Sequence, residues 1–352
     1  MARSRASPEE IEVMPRICGT MPHHIQMAAS SAEYRDRRRT IEVQSALIKT
    51  TGIAQVTTIP VVVHVLYSNA AENVSDAQID SQIRALNENF RKRNADVASV
   101  PAPFAPYAAD AMIEFVLANR DPGGNPTSGI TRTAINGSYP YDGRDDQATI
   151  TLDSLIKEAG SGMSAWPASS YLNLWVCPIQ GGLLGYAQFP GGNASTDGVV
   201  INVTAFGVGG SAVSPYDLGR TAVHEVGHWL NLLHIWGDDR GGCLHSDNVA
   251  DTPNQANANT GAPRYPNVSC NNGPDGDMFM NFMDYTDDAV MTMFTRDQVA
   301  RMTATLLGPR ASLALSKGYV PADGMPAPSN LLRALGIPVL PAARVFDGVD
   351  WV

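Results

Sequence analysis

Three imidazoles and one carboxylate fall within the eleven residues His224-Glu225-Val226-Gly227-His228-Trp229-Leu230-Asn231-Leu232-Leu233-His234, in an order that suits a catalytic zinc ion. Histidines spaced i, i+4 project from one face of an α-helix, so His224 and His228 can bind a single ion. Glu225 lies beside that face, where it can take a proton from water instead of coordinating the metal. Three neutral imidazoles leave a fourth position open, which marks a catalytic rather than a structural zinc. The chemistry implied is metal-assisted hydrolysis.

The elements that must position these groups follow from the spacing. His234 is six positions beyond His228, and at about 100° per residue a continued helix would carry it roughly 240° away. The helix must therefore break. Asn231 sits where the break is needed, and Asn enters the left-handed region at modest cost. Upstream, Ser214-Pro215-Tyr216-Asp217 has the composition of a helix start: a capping serine, then proline, then an acid. Apolar strands fit residues 59–67, 112–117, 172–179, 184–189 and 199–203. A helix fits residues 75–94, with Ile79, Ile83, Leu86 and Phe90 on one face and Ser75 and Gln78 as its capping box. Beyond His234 the chain is loop-rich until Thr295 opens a closing helix that Gly308-Pro309 ends. The fold class expected is α+β: a twisted mixed sheet with backing helices above a cleft, and an irregular lower subdomain ending in a helix. The segment 184–189 reads as an edge strand to which an extended peptide could add by main-chain hydrogen bonds.

His-Glu-x-x-His-x-x-Asn-x-x-His resembles the metzincin signature. The longer match from His224 to Gly237, continuing through Asp247-Asn248-Val249-Ala250-Asp251-Thr252-Pro253, is similar to the pappalysin family, and Asn281-Phe282-Met283-Asp284-Tyr285 matches that family's Met-turn. The resemblance runs from about residue 53 to about 318. It implies a zincin-like fold with His224, His228 and His234 on zinc, Glu225 as general base and acid, and Met283 packed below the ligands. It also implies that Tyr285 turns its phenol toward the oxyanion of the tetrahedral intermediate.

Further roles come with the resemblance. Cys243 and Cys270 correspond to a disulfide, which implies an oxidising, extracellular location. Arg16-Ile17-Cys18-Gly19 resembles the cysteine switch of some metzincin zymogens, in which a propeptide thiolate occupies the zinc and keeps the enzyme latent. Asp288 is implied as the base of the pocket for the residue after the scissile bond, favouring cleavage before Arg or Lys. Arg37, Arg38, Arg39 and Lys49 then become self-cleavage points. For calcium, the resemblance selects Asp247, the Val249 carbonyl and Thr252, with Asp251 a further candidate. Asp238, Asp239, Asp275 and Asp277 are additional acids in the same loops. Cys177, in an apolar strand, reads as a buried thiol. His64 reads as a core or cleft-edge residue, and His23, His24 and His245 have no partners at metal spacing.

Composition sets limits. The chain has 352 residues, 44% hydrophobic and 17% charged, enough for one large catalytic domain with extensions. A net charge of −10 argues against nucleic acid as a partner. No apolar run approaches a membrane span, and the N-terminus shows no secretory segment. Three parts are expected: a propeptide over residues 1–52 acting as the chain's own inhibitor, a catalytic domain over 53–318 divided near 234, and a removable tail over 319–352. The substrate is a polypeptide. A zinc-stabilised peptide-binding module without catalysis is the competing reading, and the presence of both Glu225 and Tyr285 weighs against it.

Overall fold

A computed structural model describes residues 15–47 and 55–321, apart from 146 and 240. The expected boundary at residue 52, the candidate cut at Lys49 and nearly all of the expected tail lie outside the described residues. The elements, in chain order, begin with α1 (Thr20–Ser30), α2 (Ala32–Leu47), β1 (Thr57–Tyr67), α3 (Asp76–Phe90), β2 (Ile113–Leu117) and β3 (Ile130–Ala134). There follow α4 (Ala148–Ile156), β4 (Leu172–Cys177), β5 (Gly185–Ala187), β6 (Val199–Asn202), α5 (Arg220–Trp229), the short pair β7 (Thr260–Gly261) and β8 (Tyr285–Thr286), and α6 (Arg296–Leu307).

β1 reads Thr-Thr-Ile-Pro-Val-Val-Val-His-Val-Leu-Tyr and is buried along almost its whole length, as a strand covered on both faces must be. It pairs in parallel with β2 through Thr57–Val61, with β3 through Val63–Tyr67, and with β4. β6 continues the parallel order, and β5 closes the sheet as its antiparallel edge, giving β2-β1-β4-β6-β5. The pleat divides β4 between two cores. Leu174 and Val176 join the larger one under α3 and α5, while Trp175 and Cys177 face the smaller one under α4. His64 is a core residue, fully buried and held between Thr131 Oγ1 and Asn173 Oδ1.

The larger core does not stop at the sheet. It continues into the loop-rich half through Met278, Phe279, Phe282, Met283, Met291 and Phe294. α6 closes that half with a full capping box between Thr295 and Gln298. At α3, by contrast, Ser75 caps Gln78 N, but the Gln78 side chain reaches Phe206 O and Ser211 instead of its own cap.

A second expectation needs correction. Helix α5 begins at Arg220, not near Ser214; Gly219 is its cap residue with φ 72°. Asp288 supplies the missing acceptor, its Oδ2 taking Leu218 N at 2.9 Å and Arg220 N at 3.1 Å. A distant carboxylate thus replaces the local cap. Residues 20–47, for which the sequence suggests no element, form α1, which packs on α4 and β5, and α2, which packs on α6. Tyr34 and Ile41 are buried there, and so is Arg38, a residue that no hydrophobic period reveals.

Candidate metal centre

α5 carries His224, Glu225 and His228 into the interior, all at most 1% exposed. After Leu230 the chain turns at Asn231 with φ 78°, and the helix breaks as the spacing requires. That turn frees the Leu232 carbonyl to accept from His228 Nδ1 at 2.7 Å, and it brings His234 back toward the other rings. His224 Nδ1 donates to Phe282 O at 2.7 Å, and His234 Nδ1 lies 2.9 Å from Asp238 Oδ1. Each Nδ1 is committed to an oxygen acceptor, so each neutral ring presents a bare Nε2.

Those three Nε2 atoms converge, His228 lying 3.1 Å from both His224 and His234. Cys18 joins them, and the four ligand atoms fall within 4.8 Å of one another. Burial first, and neighbouring imidazole charge second, push His224 and His228 well below the ordinary histidine range. Three ring nitrogens converging this closely on one point suit a cation between them. Nitrogen and sulfur donors in this number suit zinc. Beneath the cluster, a Cβ on Gly227 would come 2.5 Å from Met283 Sδ, so glycine in mid-helix is what lets the Met-turn approach.

Glu225 lies beside Cys18, its Oε2 accepting from Sγ at 3.4 Å and from Thr20 Oγ1 at 2.8 Å. Burial raises its pKa to about 7, against those two hydrogen bonds, which lower it. Tyr285 stands edge-on to His234 at 4.9 Å and to Trp236 at 4.7 Å. Its phenol is pushed well up, by burial first and then by Cys18, Asp238 and Glu225. Trp236 stacks flat on His234, with ring centroids 4.2 Å apart and planes 8° apart.

The N-terminal segment occupies the cleft. Cys18 bridges Gly185 of β5 in parallel, with Leu184 N donating to Ile17 O and Gly19 N to Gly185 O. Arg16 is 3% exposed and reaches Asp288 at 2.6 Å, Thr221 Oγ1 at 2.8 Å and the Thr286 carbonyl. Farther along, Arg38 donates to Asn231 Oδ1 at 2.6 Å, and Glu42 pairs with Arg301 at 2.7 Å. Arg37, Arg38 and Arg39 therefore lie within a docked helix and are not presented as extended chain.

Other expected residues find varied places. Cys243 and Cys270 form a disulfide, and Cys177 is a buried thiol whose pKa burial pushes up. Asp247, the Val249 carbonyl and Thr252 come together: Thr252 Oγ1 lies 2.8 Å from Asp247 Oδ2 and 3.0 Å from Val249 O. Burial raises the Asp247 pKa to about 7. Asp251 instead accepts from Asp297 N, Asp239 caps backbone amides of residues 242–245, and Asp277 is surrounded by Ser269, Asn272, Asn259 and Asn267. The sequence reading placed Asp238 among the loop acids and missed its pairing with His234, although its place four residues on was a usable signal. It also missed His23, whose Nε2 lies 2.8 Å from Asp153 Oδ2.

Comparison with known proteins agrees with this geometry. A family model described as pregnancy-associated plasma protein-A matches residues 161–307. An extracellular metalloprotease of Pyricularia oryzae is 34% identical over 254 residues, 70% of this chain and 74% of that protein. Extracellular metalloprotease 1 of Coccidioides posadasii is 30% identical over 307 residues, 82% of this chain and 88% of its own length. Among solved structures, a promirolysin mutant of Tannerella forsythia is similar at 47% identity and a TM-score of 0.76, over 85% of this chain and 97% of that one. Mature mirolysin of the same organism, in complex with a cleaved peptide, is 51% identical with a TM-score of 0.69, over 74% of this chain and 96% of that one. With such identity across most of both chains, this protein belongs to the pappalysin family and is a metalloendopeptidase.

Proposed function

We propose that the protein is a zinc endopeptidase held latent by its own N-terminal segment, residues 1–52, and that it cuts polypeptides before Arg or Lys. The observation that carries this reading is the single cluster of Cys18 with the three histidines, and Glu225 beside it. Bound by His224, His228 and His234, a zinc ion supplies Lewis acidity that acidifies water and polarises a carbonyl. Cys18 is the fourth donor in the latent chain, and its departure leaves room for water at the same place.

Glu225 then takes the proton of the attacking water and returns it to the leaving amine. Burial, which raises this carboxyl, suits a group that must both accept and donate a proton. Tyr285, kept protonated by its surroundings, donates its hydroxyl to the developing oxyanion. Asp288 receives the Arg or Lys side chain where Arg16 now sits, a bidentate or single charge-assisted pair in a buried pocket. Met283 supports the ligands from below. Asp247, the Val249 carbonyl and Thr252 form a calcium site that relieves the buried carboxylate. The disulfide and the extracellular relatives support secretion.

Glu225→Ala should abolish cleavage of a protein substrate while zinc content and fold persist; undiminished cleavage would refute the mechanism. Mass spectrometry of a mixed protein digest should show Arg or Lys after the cut. A spread of residues there retires the Asp288 pocket.

A further inference from the structure

The N-terminal segment holds the cleft on both sides of the metal cluster. Arg16 fills the Asp288 pocket on one side. On the other, α1 lays His23 into a second seat, between α4 and the edge strand. His23 is 1% exposed, and its Nε2 meets Asp153 Oδ2 at 2.8 Å. Asp153 is fixed from behind: Tyr186 Oη donates to its Oδ1 at 2.9 Å, and Lys157 Nζ lies 2.7 Å from the same oxygen. Lys157 is itself anchored on Thr196 O at 2.7 Å and lies over the rings of Trp175 and Tyr186. None of these partners belongs to the N-terminal segment. When the segment leaves, Oδ1 keeps both of these donors, and Oδ2 loses the one it has among the described residues.

Two features make this a shaped receptor and not a lone acid. Thr149 stands one helical turn before Asp153 on the same face of α4, 1% exposed, and its Oγ1 has no hydrogen-bond partner. Its methyl is only 3.0 Å from where a Cβ on Gly19 would lie, so the segment threads directly past it. The Tyr186 ring, 5.7 Å from the His23 ring and tilted by 34°, forms a flat wall. Burial alone would raise the Asp153 pKa, but Lys157 and His23 outweigh it and bring it down to about 2.

We propose that Asp153, Thr149 and Tyr186 form a substrate subsite for a residue preceding the scissile bond, and that it selects a histidine side chain. The side follows from the reading that Asp288 takes the residue after the cut, on which this inference rests. Cys18 lies between the two seats, so the Asp153 seat serves the opposite side. The chemistry follows from Lys157. Its ammonium already balances the carboxylate, so a second cation from Lys or Arg would meet a like charge in a buried space. A planar N–H donor satisfies Oδ2 and lies against Tyr186 without that penalty.

The test uses the full-length protein, loaded with zinc and activated by limited proteolysis, acting on a proteome-derived peptide library with products read by mass spectrometry. The expected result is at least a threefold enrichment of His at one position before the cut, lost in Asp153→Asn. Because that variant strips Lys157 of its partner, Asp153→Asn combined with Lys157→Gln removes both charges together and should lose the enrichment equally. A flat wild-type profile before the cut, or a His enrichment that survives in folded double variant, overturns the subsite. The residue after the cut, read from the same spectra, judges the Asp288 pocket separately.

Discussion

Asn231 carries the break that makes a three-histidine site from one stretch of chain, and its side chain is gripped by Arg38 and its carbonyl by Arg301. The other ligand supports are equally local in space but not in sequence. Asp238 holds the Nδ1 proton of His234 and sets which nitrogen faces the cluster. Asp238→Ala should weaken zinc binding about 10- to 100-fold in a chelator competition, with Asp238→Asn recovering part of the loss through its remaining acceptor. Tyr285→Phe should lower kcat by about 10²- to 10³-fold and leave KM nearly unchanged, since the hydroxyl acts on charge that develops only in the transition state. An equal rise in KM would make Tyr285 a binding group. The convergence of the three histidines was legible because they lie within eleven residues, two at a helical spacing and the third beyond a residue suited to the break. Arg16's salt bridge to Asp288 was not, because its partner lies 272 residues away in sequence and meets it only through the fold.

At the scale of elements, strands and amphipathic helices were readable from apolar runs, and β1, α3 and α6 appear near their expected ranges. The errors fall where polar groups do the positioning. α5 takes its cap from Asp288, so its start could not be read from neighbouring residues. α2 docks largely through Arg38 and Glu42, which a hydrophobic pattern treats as solvated. Arg310 shows the same principle at the other end of α5. It pairs with Asp197 at 2.7 Å, donates to Trp229 O and lies 3.8 Å over the Trp229 ring. Arg310→Ala should cost about 3–5 kcal/mol in denaturant unfolding, because it leaves Asp197 buried without its cation. Two separate anchors on the N-terminal segment have a further consequence. Cys18→Ala in the full-length chain should raise activity only part of the way to that of the proteolysed protein, and adding Arg16→Ala and Arg38→Ala should close most of the gap in a peptide-cleavage assay.

The larger core crosses from the sheet into the loop-rich half, so the two halves should unfold together. Acid should loosen the seat of α1 only late, after the raised carboxyls of Glu225 and Asp247 have been protonated. The Asp153 carboxyl is lowered in the fold, to about 2 from an ordinary 3.8, so its stabilisation is complete above the unfolded value and disappears as pH falls through about 2. Cys18 should therefore stay closed to 4,4′-dithiodipyridine at pH 5 and become reactive only as the pH falls toward about 2. Reactivity already high at pH 5 would contradict a docked segment. The grip of Arg38 and Glu42 on the Asn231 turn also bears on how the active site is assembled. The segment that lies in the cleft also holds the bend that delivers His234, so it should serve as a template while the site forms. Refolding the full-length Arg38→Ala/Glu42→Ala chain should give a lower yield of zinc-competent protein than the parent; an equal yield would remove the template.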